Sequence, residues 1–248
     1  MIKLYGMGSP NVVKVVIVLE ELQMPFDFEM IDVINGDQFS DAFGALTPNR
    51  KVPVILDDEG PRGCVGQPFT LWESGAILLY LAERSGQLLS TDPATRYTTL
   101  QWLMFQMGSI GPMSGQLSHF RIYAPQPDHA YARARYATEV KRIYDVVEAR
   151  LQTSDYLAGR DYSIADIAAW PWLKASDMRG VDVATLPCVK RWIEAIAARP
   201  AVQQAQAFFG SLDNTAMIKT MREGGERLDR YLGRGRWSRP ELAGEANG

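Results

Sequence analysis

The stretch from Asn49 to Leu81 constrains this chain more than any other. It reads Asn49-Arg50-Lys51-Val52-Pro53-Val54-Ile55, crosses a polar loop, and resumes as Leu71-Trp72-Glu73-Ser74-Gly75-Ala76-Ile77-Leu78. Proline has no N–H, so Pro53 suits the entry of a short strand and not its middle. An X-Pro bond also takes the cis form at modest cost, which turns the chain sharply and exposes the backbone of Val52. An exposed N–H and C=O there can pair with an extended peptide. Ser74 reads as the N-cap of a helix whose run to Leu81 is apolar enough to be buried. A helix N-terminus attracts a carboxylate, and Glu73 beside it can hold an ammonium. One segment thus offers a backbone hook, an anion seat and a cation partner, which suits a small zwitterionic peptide.

The rest of the chain is consistent with a scaffold around that segment. With 248 residues there is room for one large or two small domains. The net charge of -3 favours neither nucleic acid nor an anionic membrane surface, and no apolar run reaches the length of a membrane span. Strand-like sequence begins at once with Met1-Ile2-Lys3-Leu4-Tyr5, so no signal peptide is expected. Cys64 and Cys188 are far apart and form no CxxC, which points to free thiols in a reducing cytoplasm. His119 and His129 lack metal-ligand spacing, so no metal site is expected.

Ile2–Tyr5 reads as a buried strand, and Ser9-Pro10 as a cap followed by proline at the first helical position. The run Val12–Leu22 is β-branched, yet its length, its cap and the placing of Lys14 and Glu21 on one side argue for a helix packed on a sheet. Phe26, Phe28 and Met30 alternate as a second strand, Asn35-Gly36-Asp37 is a turn, and Phe39–Leu46 is a short helical piece. Two strands then flank the Asp57–Gln67 loop, giving the order βαβαββα. Beyond a connector at Gly86–Pro93 the pattern is helical to about Phe209. Leu100, Leu103, Met104 and Met107 space as one face, and the glycines and proline at Gly108, Gly111, Pro112 and Gly115 predict an interruption with a kink. Tyr136, Val140, Ile143, Tyr144, Val147 and Leu151 mark an amphipathic helix, and Ser163-Ile164-Ala165-Asp166 caps the next one, as a structural feature. The tail 211–248 is polar and glycine-bearing; Tyr231, Leu232 and Trp237 are its candidate anchors.

These motifs, in this order and spacing, resemble the glutathione S-transferases over roughly Ile2 to Phe209, and among them the bacterial nu class of glutathione-dependent disulfide-bond reductases. The resemblance implies a thioredoxin-like βαβαββα domain over 1–87, an all-helical domain over 94–210 and an extension over 211–248. It implies glutathione as co-substrate, a small disulfide, peroxide or electrophile as second substrate, and a homodimer.

The resemblance also assigns roles to residues. Glutathione chemistry needs a thiolate, and a helix N-terminus or a hydrogen-bond donor lowers a thiol pKa from about 8.5. The loop Ser9-Pro10-Asn11 falls at the sulfur, where the class more often has threonine in place of Ser9. Ser9 donates through its hydroxyl and Asn11 through its amide, although a helix cap alone also explains Ser9. Gln38 and Lys51 fall at the glycyl end, where Arg50 competes with Lys51 and a solvated loop position also explains Gln38; Val52 falls at the peptide backbone, and Glu73 and Ser74 at the γ-glutamyl end. Arg135 is the position from which a helical arginine reaches the site; Arg133, about 200° around the same helix, cannot face the cleft with it. Met104, Phe105, Met107 and Met113 lie where the cleft wall falls, as core or as pocket lining. Because the chain brings no cysteine to this loop, the reacting sulfur belongs to glutathione. The rival reading is a non-catalytic regulatory or binding module on the same fold.

Overall fold

The computed structural model describes residues 1–61, 66–124, 129–212 and 223–238, so Cys64 lies outside the described residues. Four strands form one mixed sheet in the order β2-β1-β3-β4: β1 (Ile2–Gly6), β2 (Phe26–Met30), β3 (Val54–Asp57) and β4 (Phe69–Trp72). β1 runs parallel to β2, with Leu4 opposite Phe28, and antiparallel to β3, with Tyr5 opposite Val54. β3 and β4 pair antiparallel. The parallel β1–β2 pair requires a crossover, and helix α1 (Pro10–Glu21) provides it. α2 (Asp41–Leu46) and α3 (Ser74–Ser85) complete the βαβαββα order. This is the thioredoxin-like half of the fold.

The β-branched run of α1 is helical because tertiary burial overrides its strand propensity. Val12, Val15, Val16, Ile17, Val18 and Leu19 are wholly buried, between the sheet and the helical half of the chain. The expectation that Lys14 and Glu21 share a polar side is corrected: Lys14 is 0% exposed. Glu21 instead receives a bidentate pair from Arg199, Nε to Oε1 at 2.6 Å and Nη2 to Oε2 at 2.8 Å. That pair ties α1 to the last helix of the bundle.

The helical half contains α4 (Pro93–Phe105), α5 (Gly111–Ser118), α6 (Ala130–Leu151), α7 (Ile164–Leu173), α8 (Ser176–Arg179), α9 (Pro187–Ala197) and α10 (Pro200–Gly210). The glycines after α4 do not stop the helix. The chain widens into a π turn over Gln106–Ile110 and runs on into α5 with helical dihedrals at Gly111. Pro112 stands in the first turn of α5, directly after the π turn whose register carries Gly111 N–H back to Gln106 O. Leu103 of α4 is fully buried, but Met104, assigned to the same face, is 55% exposed. A four-residue step carries it past the edge of the apolar stripe.

Two contacts fix α3 against the sheet. Asp57, at the end of β3, accepts a hydrogen bond from Tyr80 Oη at 2.6 Å and pairs with Arg84. The polar tail also folds: residues Gly225–Leu232 form a helix and Gly235–Ser238 a 3₁₀ turn.

Candidate functional site

The Val52–Pro53 bond is cis, and β3 begins only at Val54, so Val52 stands outside the sheet ladder. The first turn of α1, through Asn11, and the start of α3, through Glu73 and Ser74, line one cavity with Val52, and a helix start carries a partial positive charge.

At α1 the N-cap residue Ser9 is extended (φ -134°, ψ 153°), and its carbonyl accepts from the N–H groups of Val12 and Val13. The Ser9 side chain makes no capping hydrogen bond. Its hydroxyl is therefore available to the groove. Asn11 accepts a hydrogen bond from Trp172 Nε1 at 3.3 Å through its Oδ1. An indole nitrogen can only donate, so this contact fixes the amide oxygen toward Trp172 and leaves the amide NH₂ as the donor for a ligand. Sequence reasoning missed Trp172, which lies 161 positions from Asn11 and carries no local signal.

At α3 the sequence reading needs a correction. Ser74 is the first helical residue, and the N-cap is Glu73, held at φ 71°, ψ 110° with no side-chain cap. A non-glycine residue at positive φ is uncommon and marks a backbone held by its surroundings. The first intrahelical bond runs from Ile77 N–H to Glu73 C=O at 2.9 Å. The N–H groups of Ser74, Gly75 and Ala76 thus have no helical acceptor. Gly75 is required here because a Cβ would stand 2.9 Å from Met107 Cγ. The close approach places the π turn directly beneath the start of α3.

Lys14 enters at this floor. Its Nζ donates to Gln106 Oε1 at 2.8 Å and lies 3.4 Å from Met107 Sδ. Burial pushes its pKa down to about 7, with the charge of Glu73 acting in the opposite direction. Neither Lys14 nor Gln106 was read as part of the site; a lysine inside an otherwise apolar helical run was the available signal.

Two adjoining cavities result, both lined by Lys51 and Val52. The first, about 210 Å³, also carries Asn11, Trp72, Glu73, Ser74 and Met107. The second, about 260 Å³, carries Ser9, Gln38, Arg50 and, from the tail, Tyr231 and Leu232. Of the residues singled out in the sequence, Ser9, Asn11, Gln38, Lys51, Val52, Glu73 and Ser74 are brought together. Arg135 is not: it lies exposed on α6, 3.4 Å from Glu139, and lines neither cavity. Gln38 is buried, its Nε2 donating to Val33 O at 3.1 Å and Arg230 O at 3.2 Å. A larger cavity of about 600 Å³ lies between Arg121, Lys141, Arg179 and Asp182 and contains none of these residues. Cys188 is elsewhere too, and burial together with Glu148 pushes its thiol pKa up, away from thiolate chemistry.

Residues 8–84 match the glutathione S-transferase N-terminal domain and residues 113–200 the glutathione S-transferase C-terminal domain. The disulfide-bond oxidoreductase YfcG of Escherichia coli is 46% identical over 205 residues, covering 83% of this chain and 94% of the relative. The E. coli disulfide-bond oxidoreductase YghU is 37% identical over 83% of this chain and 74% of its own length. A glutathione transferase from Pseudomonas putida, solved with one glutathione disulfide per subunit, is 45% identical with a TM-score of 0.76 over 82% of this chain and 90% of that one. One from Burkholderia graminis, solved with two glutathione molecules per subunit, is 42% identical with a TM-score of 0.76 over 82% and 86%. With both family domains matched in order and these relatives aligned along most of its length, this chain belongs to the glutathione S-transferase family.

Proposed function

We propose that the protein is a glutathione-dependent disulfide-bond oxidoreductase of the nu class. One observation carries this reading: Asn11 from the first turn of α1 and Glu73 and Ser74 from the start of α3 line one cavity together with Val52, and neither helix start has a side-chain cap. The γ-glutamyl carboxylate of glutathione takes the N–H groups at Ser74 and Gly75, and its ammonium takes Glu73. The cysteinyl backbone pairs with Val52. The sulfur then falls at the start of α1, where the helix end, the Ser9 hydroxyl and the Asn11 amide favour the thiolate.

The chemistry is thiol–disulfide exchange. The glutathione thiolate attacks one sulfur of a small disulfide, forming a mixed disulfide and releasing the other half as thiolate. A second glutathione thiolate attacks the mixed disulfide, giving glutathione disulfide and the second thiol. Two glutathiones are oxidised, one disulfide is reduced, and the protein supplies no sulfur. Peroxides enter at the first step as alternative oxidants. Arg135 takes no part in this reading, because its side chain is turned to Glu139.

A homodimer and a reducing cytoplasm belong to the same proposal. Tyr97 and Met104 of α4 are 72% and 55% exposed, and seven residues apart they share one helical face. Sedimentation of the purified chain at the monomer mass would remove the dimer from the proposal.

The function is tested by retention on glutathione resin followed by turnover of 2-hydroxyethyl disulfide with glutathione. Retention without turnover identifies a binding module and ends the enzymatic reading. Asn11→Ala is expected to lower kcat/KM by about 10- to 100-fold, equivalent to about 1.4 to 2.7 kcal/mol of transition-state stabilisation. Unchanged kinetics in a folded variant would remove Asn11 from the mechanism.

A further inference from the structure

The matched family domains end at residue 200, yet the chain continues. The helix Gly225–Leu232 lies in this remaining part and returns to the candidate site. Its seat is specific. Arg230 donates from Nη1 to Asn35 O at 3.0 Å, and its carbonyl accepts from Gln38. Gly36, at φ +97°, admits the Arg230 side chain, whose Cδ lies 2.9 Å from where a Cβ would stand. Trp237 stacks on Phe39 with ring centroids 5.2 Å apart. Tyr231 packs against the cluster of Tyr5, Met7, Val33 and Val54 at the central strands β1 and β3.

This docking gives the second cavity its outer wall. Tyr231 and Leu232 close it opposite Ser9, Lys51 and Val52. The Gln38 amide clamps the turn at Val33 to the tail at Arg230, while its Oε1 stays buried with no partner among the described residues. The chemistry on the two sides of Val52 also differs. The Glu73–Ser74 side offers both an acceptor for an ammonium and free N–H groups for a carboxylate. The other side offers a lysine, an apolar roof and no carboxylate among its described lining residues, which matches a carboxylate-ending arm that brings no ammonium.

We propose that the C-terminal helix is the roof of the subsite for the glycyl arm of glutathione, and that Tyr231 and Leu232 restrict the thiol substrate to peptides ending at that residue. The proposal rests on the glutathione reading above and deepens it. Glutathione itself fits beneath the roof with its glycyl carboxylate toward Lys51. A peptide extended beyond glycine must displace Tyr231 from its cluster.

The test compares kcat/KM for glutathione with that for γ-Glu-Cys-Gly-Gly, at fixed 2-hydroxyethyl disulfide, in the full-length chain. The native protein is expected to prefer glutathione by at least about tenfold. Tyr231→Ala with Leu232→Ala is expected to reduce that preference to within about threefold. Trp237→Ala, which loosens the helix without lining the cavity, is expected to move the preference the same way, and Tyr231→Phe to preserve it. Equal preference in the native chain and both loosened variants overturns the roof while leaving the glutathione reading intact. No turnover of glutathione by the native chain overturns the glutathione reading, and the roof with it.

Discussion

Two helices in this molecule begin inside the protein, and they treat their first N–H groups in opposite ways. At α7 every donor finds a partner within the chain. Ser163 Oγ accepts from Ala165 N–H at 3.3 Å, and Asp166 reaches back to Ser163 N–H at 3.1 Å and Ser163 Oγ at 3.0 Å. The other oxygen of Asp166 accepts from Leu157 N–H and Trp192 Nε1, each at 2.9 Å. At α3 the corresponding start has Glu73 at positive φ, no side-chain cap, and Ala76 where α7 has its aspartate. One start is complete and the other is built to be completed by a ligand. The difference teaches that a cap is read by what stands three residues further on. An acidic residue there closes the helix end, and an apolar residue leaves it open for function.

The largest effect that could break this comparison concerns α7. Asp166→Ala strands four buried donors, and each orphaned group carries its desolvation cost. The expected loss is about 3 to 5 kcal/mol of unfolding free energy, read from urea unfolding. That corresponds to a fall in Tm of roughly 6 to 20 °C for a chain of this size. Asp166→Asn is expected to be nearly as harmful, because the new NH₂ must face donors. A loss below about 1 kcal/mol would show that α7 is not closed by its own residues.

The second effect lies at the floor of α3. Lys14 is as buried as Asp166 but far less well served, with one amide oxygen and a thioether against the four donors around Asp166. Burial moves both groups toward neutrality, Asp166 up to about 6 and Lys14 down to about 7. For a lysine depressed on folding, the unfolded chain holds the proton that the native state releases. Stability from this group therefore rises as pH climbs from about 7 toward the ordinary lysine value of 10.5, is lost progressively as pH falls from there to about 7, and is flat below that. Between pH 7 and 9 the native protein should gain about 2 kcal/mol relative to Lys14→Met. Parallel stability curves for the two proteins would mean that the ammonium is better solvated than its surroundings suggest.

What the sequence disclosed follows the range of the forces involved. The Ser163–Asp166 cap spans three residues, and the alternation of Phe26 and Phe28 is equally local. The order βαβαββα and the cradle at Val52, Glu73 and Ser74 were legible for the same reason, because turn chemistry and periodicity act over a few positions. The burial of Lys14 depends on Gln106, 92 positions away. The orientation of Asn11 depends on Trp172, and the docking of the tail on a Gln38–Arg230 contact across 192 positions. Composition made the tail look solvated because its anchors are few; the stacking of Trp237 on Phe39 and the clustering of Tyr231 are pairings that only the finished fold creates.

The smallest effect sharpens the comparison at α1, which also begins with serine. If Ser9 acted as Ser163 does, its replacement by alanine would cost about 1 kcal/mol of stability through the lost cap. Its side chain makes no such bond, and its carbonyl takes only the N–H groups of Val12 and Val13. Ser9→Ala should therefore change unfolding free energy by less than about 0.5 kcal/mol, while lowering kcat/KM for 2-hydroxyethyl disulfide by about 3- to 10-fold through loss of a thiolate donor. The two readouts separate the roles, because a structural cap moves stability and a sulfur contact moves rate. A stability loss near 1 kcal/mol with unchanged kinetics would place Ser9 beside Ser163 as a closed helix start. The sulfur would then depend on Asn11 and the α1 helix end alone.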